Sequence, residues 1–206
     1  MEGPFVLRRG YTSILALTAA LLLTSCSPRD FLTRRLATDL IAQSATFQAP
    51  QDFLLHTGVV SNVDYAAPEY LVLEHHGWIS ATVVACLHGL APAPCWDIVL
   101  TPVGVDIVRS QVSSDEATKP SISIPVARRE LIAVTGISKQ GAMADVEFTW
   151  KWTPLNEIGA ALYSGDLHYK SSVGFRQYDD GWRIVPTVLR PGQTMDGALK
   201  NAEPAS

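Results

Sequence analysis

Charge is scarce in this chain: 17% of its 206 residues are Asp, Glu, Lys or Arg, and acids outnumber bases 20 to 16. A surface that neutralises nucleic-acid phosphates needs the opposite excess, so no nucleic acid is expected as a partner. Cysteine is scarce as well; three residues exclude a disulfide-dense miniprotein, and their odd number needs an explanation. The chain has no Gly-x-Ser-x-Gly elbow, no His-Glu-x-x-His pair and no phosphate-cradling glycine loop. It also lacks an apolar run of the roughly 20 residues that a helix needs to cross a bilayer. What is present is a 47% hydrophobic composition, which disfavours disorder and supplies material for a core.

Apolar residues concentrate first near the start. Arg8 and Arg9 precede an uncharged run from Tyr11 to Leu23, and nine of the ten residues from Ile14 to Leu23 are apolar. This is the layout of an export signal. The four residues that follow on, Leu23-Thr24-Ser25-Cys26, resemble the lipobox of bacterial lipoproteins: an aliphatic residue, two small residues and a cysteine. The resemblance implies cleavage between Ser25 and Cys26 and attachment of lipid to Cys26. The membrane is then a partner through the N-terminal lipid, and two or more fatty chains make such an anchor effectively permanent. Ser27 follows where the enterobacterial members retained in the inner membrane carry Asp. The resemblance thus favours an outer-membrane anchor facing the periplasm, in a cell with two membranes. Loss of residues 1–25 removes Glu2, Arg8 and Arg9, leaving 14 basic and 19 acidic side chains, a formal charge of −5.

Outside the cytoplasm thiols meet oxidising machinery, and Cys86 and Cys95 are expected to form a disulfide. The eight residues between them, Leu87 to Pro94, are rich in turn formers and lie between two β-branched runs, so the bridge would close the mouth of a hairpin. A metal or redox pair with His88 as third ligand is the alternative, although the spacing fits no zinc pattern.

The expected fold class is α+β: N-terminal helices with a disulfide-closed β-hairpin, followed by an antiparallel β-meander. Ser27-Pro28-Arg29-Asp30 offers capping residues for a helix over about 30–44, with Leu32, Leu36 and Leu40 at helical spacing. Signals over 46–67 are mixed. A second helix is expected from Pro68 to Gly77, then strands over 78–86 and 95–101. The polar stretch 113–121 reads as a linker between a helix-and-hairpin part, 26–112, and a sheet part, 122–188. In the latter, Ala144, Val146, Phe148, Trp150 and Trp152 alternate with polar residues. A neighbouring strand over 122–137 is expected to split near Arg128-Arg129-Glu130. Residues 169–178 and 182–188 supply two more strands around Asp179-Asp180-Gly181. The segment from Thr153 to Leu162 reads equally as a short helix or as an excursion over the sheet, and 189–206 as a disordered tail.

A second, local resemblance covers residues 68–112. His76-Gly77-Trp78-Ile79, two strands and then Leu100-Thr101-Pro102-Val103-Gly104 are similar to the wing region of MarR-like winged-helix proteins. It implies a winged-helix-like architecture over this stretch, without the DNA contacts, since the charge is wrong for them.

Candidate chemistry is thin. Neighbouring His75 and His76 diverge by about 100° on a helix and do not chelate one metal together. Asp166 and His168 share a face if their segment is extended, a geometry suited to acid–base work. Phe148, Trp150 and Trp152 read either as packed core or as an open face for an apolar ligand, a glycan or an envelope protein. With no catalytic residue, metal site or cofactor assigned, the expected function is a non-enzymatic binding or envelope-assembly module held at a membrane. A small exported hydrolase or metal-dependent enzyme is the alternative.

Overall fold

The computed structural model describes residues 31–86, 94–113, 115, 117, 119–186 and 194–205. The signal segment, the lipobox, residues 27–30 and His88 lie outside the described residues.

Helix α1 (Arg34–Gln43) begins four residues later than the expected Asp30, after the N-cap Thr33, whose hydroxyl accepts the Leu36 N–H at 3.1 Å. Ser44 likewise caps α2 (Ala45–Gln48). The mixed stretch then resolves into β1 (Gln51–His56), β2 (Gly58–Ser61) and α3 (Asn62–Tyr65), with Gly58 turning at φ +81°. Helix α4 (Pro68–His75) ends at Gly77, which takes the left-handed φ of +70°. The hairpin of β3 (Ile79–Val84) and β4 (Cys95–Leu100) is antiparallel as expected, and the Cys86–Cys95 disulfide closes its mouth with Cα atoms 5.0 Å apart. β2 pairs with the other edge of β4, giving a three-stranded sheet in the order β2-β4-β3.

Helix α5 (Pro102–Gln111) leaves this sheet through the Leu-Thr-x-x-Gly motif, whose residues have a physical task. Thr101 accepts the Gly104 N–H at 3.1 Å as N-cap while its own hydroxyl donates to the Gly77 carbonyl at 2.7 Å. Gly104 packs so tightly on the Trp78 carbonyl that a Cβ there would clash.

The large sheet is antiparallel and comprises β5 (Ser121–Gln140), β6 (Met143–Pro154), β7 (His168–Tyr178) and β8 (Gly181–Ile184), with β1 on the outer edge of β5. Rather than splitting near Arg128-Arg129-Glu130, β5 runs unbroken for 20 residues. What changes there is its partner: residues up to Ala127 pair with β1, and those from Ala127 onward pair with β6. The charged triplet marks a change of neighbour and of core, which a strand tolerates without ending.

Two cores result. Ala37, Ile41 and Phe47 from α1 and α2 cover one face of the sheet, over Val146, Phe148, Trp150, Val173 and Phe175. Leu73, Ile98, Val108 and Ile158 pack with Leu55, Ile122, Ile124 and Val126 at the other end of β5. The boundary expected at 113–121 therefore does not separate two bodies, because α1 and β1 complete the sheet that follows it. The expected tail is also corrected: α7 (Met195–Lys200) buries Met195 and Ala198 against the first core, and β9 (Glu203–Pro204) pairs with β7. A six-residue helix with two buried side chains leaves too little periodicity to be read from sequence.

Candidate functional site

Strand β6 outruns β7. Lys151 is the last β6 residue paired with β7, opposite His168, while β6 continues alongside β5 to Pro154. The exposed flank of 152–154 faces the turn that follows α6 (Glu157–Leu162), and the two border a shallow cleft, wide open to solvent, of about 510 Å3. Its lining includes Glu130, Lys151, Trp152, Thr153, Tyr163 and Asp166. Helix α6 resolves the stretch that the sequence leaves open between helix and excursion.

The position of α6 is set by Asn156. Its side chain accepts the Gly159 N–H at 2.9 Å as N-cap and donates to the Pro125 carbonyl at 2.8 Å, and the Leu155 N–H bonds the Val126 carbonyl. The helix is thereby pinned to β5, which carries Tyr163 to the cleft wall.

An aromatic ladder supports the floor. Trp150 stacks on Tyr169 at 4.7 Å and meets Trp152 edge-on at 5.2 Å, while Trp152 meets Tyr163 at 5.6 Å. The Arg129 guanidinium lies over Trp152, 4.6 Å from the ring centre, and donates to the carbonyls of Thr46 and Ala49. Burial lowers the Arg129 pKa, and burial next to the Glu69 carboxylate raises that of the Tyr163 phenol. The Arg129 Nε is buried without a hydrogen-bond partner.

At the cleft mouth Thr153 donates to Glu130 at 2.6 Å, and Asp166 contacts both His168 Nε2 at 3.3 Å and Lys151 Nζ at 3.7 Å. Asp166 and His168 are thus neighbours, as their spacing suggests. The Asp166 side chain is 80% exposed, so its contacts are solvent-screened surface pairs.

The aromatic stripe divides. Phe148 is 0% exposed and Trp150 3%, covered on the helix side by residues such as Phe47. Neither presents a ligand face; Trp152 alone of the three lines the cleft. His75 and His76 stand at the end of α4, with the His76 ring stacked on Trp78 at 4.6 Å, and no group of three metal-ligating side chains occurs among the described residues. Sequence reasoning missed Arg129, Glu130, Lys151 and Tyr163. Arg129 meets Trp152 through strand register, which becomes visible only when β5 and β6 are paired.

No helix among the described residues is long and apolar enough to cross a membrane. Compared with known protein families, curated proteins and solved structures, the chain finds no match.

Proposed function

We propose that the protein is an exported lipoprotein, acylated on Cys26, whose folded body is a non-enzymatic binding module of the cell envelope with the Trp152 cleft as its ligand-facing surface. The observation that carries this reading is the cysteine pairing. Cys86 and Cys95 bridge each other, a state that belongs to oxidising compartments, and this leaves Cys26 of the Leu23-Thr24-Ser25-Cys26 block for lipid. The cleft adds an aromatic ring bordered by a hydroxyl, an ammonium and carboxylates, the mixture that orients an amphipathic ligand.

The winged-helix-like reading of residues 68–112 is supported by the β2-β4-β3 order and by α3 and α4 lying between β2 and β3. It is proposed as architecture only. Enzymatic chemistry has one observation in its favour, the Asp166–His168 contact beside Lys151.

Palmitate labelling of the native chain against Cys26→Ala tests the anchor: label is expected on the first alone, and equal labelling overturns it. For the cleft, a photoreactive residue at Thr153 should give a discrete envelope adduct that the same residue at Leu54 does not. Identical adducts from both sites overturn the assignment.

A further inference from the structure

We infer that the hairpin rim beside Phe31 is a membrane-docking face that rests on the headgroups of an anionic bilayer; this inference depends on acylation at Cys26. Four residues lie between Cys26 and Phe31, and the five steps of chain, at 3.3–3.6 Å each, reach at most about 18 Å. A body of this size has a radius of gyration of about 16 Å and is roughly 40 Å across. The tether is therefore shorter than half the width of what it holds, and the end carrying Phe31 must face the bilayer.

That end is built from two hairpin turns side by side. The β5–β6 turn, with Gly141 at φ +60°, is joined to β7 by the bond from the Gln177 N–H to the Ala142 carbonyl at 2.8 Å, and the β7–β8 turn follows at Asp179 and Asp180. Cations and rings alternate around it. Lys139 Nζ lies 6.0 Å from the Phe31 ring and 5.0 Å from Trp182; Arg176 and Arg183 each lie 5.4 Å from Tyr178. Phe31 is 58% exposed, and Arg34 nearby donates to the Thr135 carbonyl. Exposed aromatics with long cationic side chains are the residues that suit a headgroup region, where the rings enter the interface and the cations meet phosphate. The acids on the rim are Asp145, Asp179 and Asp180, and Asp180 is paired with Arg183. Lys139 and Arg176 thus offset Asp145 and Asp179 at the rim itself, and Arg34, three residues on from Phe31 beside Thr135, adds the surplus cation on a body whose overall charge is negative.

The arrangement gives the cleft its outlook. Met143 starts β6 at the rim and Trp152 to Pro154 end it at the cleft, roughly 30 Å away at the rise of a strand. The body would stand on its rim and present the cleft to the aqueous space.

The test uses the full acylated chain in vesicles of phosphatidylethanolamine and phosphatidylglycerol, with a photoreactive residue at Phe31 or Tyr178, and at Leu54 or Leu155 for the far end. Interfacial residues sit within reach of lipid and distant ones do not, so roughly tenfold more lipid adduct is expected from the first pair. Flotation with the vesicles reads the anchor separately. Flotation with equal adducts from all four sites overturns the docking face alone; failure to float overturns both the anchor and the inference. K139E/R176E should cut the Tyr178 adducts several-fold while flotation persists, and an unchanged yield overturns the anionic assignment.

Discussion

Gly159 lies directly against the carbonyl of Val126, so close that a Cβ on the glycine would penetrate the backbone of β5. Gly104 stands in the same relation to Trp78. Both glycines are buried in the first turn of a helix, and each donates its N–H to the N-cap side chain three residues ahead of it. Alanine in place of a helical glycine ordinarily stabilises by up to about 1 kcal/mol. Here the sign reverses: Gly159→Ala and Gly104→Ala should each destabilise by about 1–3 kcal/mol through overpacking, measured as a lower midpoint in urea melts.

The disulfide closes a short loop, so its contribution is moderate. Replacing both Cys86 and Cys95 by Ser should cost about 2–3 kcal/mol of stability. Thermal melts with and without reductant check this, and the double variant should be insensitive to reductant.

Tyr65 donates a 2.5 Å hydrogen bond to Glu74 and stacks on Trp96 at 4.2 Å. That bond to a carboxylate, then burial, then the nearby charge push the phenol from 10 up to about 12. Because the folded value is the higher one, the stabilisation from the neutral phenol is complete below about pH 10 and is lost as pH rises through 12. Absorbance at the tyrosinate band should show a late-titrating group that moves back toward 10 in Glu74→Gln. The same variant should lose less stability than the native chain between these pH values.

Arg129 holds α2 to β5 by two carbonyls and lies flat on Trp152. Lysine keeps the charge and loses the planar stack. Arg129→Lys should therefore cost about 0.5–2 kcal/mol and alter tryptophan fluorescence, and the two effects should shrink together in a Trp152→Ala background.

The buried indole of Trp150 donates to Ser171, itself buried, at 3.0 Å. Ser171→Ala leaves that N–H without a partner and should destabilise by about 1–3 kcal/mol, whereas exposed Ser172→Ala, on the opposite face of the same strand, should be nearly neutral. Paired melts of the two variants check the difference.

Local patterns carried much of this architecture. The alternation from Ala144 to Trp150 announces β6, the Gly77 stop announces the end of α4, and the turn-rich spacing of Cys86 and Cys95 announces their bridge. What eluded local reading depends on distant partners. β1 and β2 are short strands whose burial is conferred by β5 and β4, and Arg129 looks like a solvated charge until strand register sets it over an indole. The cleft is legible at its edges, in Trp152 and the Asp166–His168 pair, yet it exists because β6 runs three residues past the start of β7, an offset between two paired segments that neither one contains.

The 20-residue strand β5 also decides how this protein can be divided. A fragment starting at 122, the boundary its composition invites, would keep the meander but lose β1 from one edge of β5 and α1 and α2 from the inner face. It would expose a row of unpaired amides next to uncovered Val146, Phe148 and Phe175, a template for intermolecular strand addition. Production of the body in pieces therefore favours insoluble material, and a useful truncation begins upstream of Thr33.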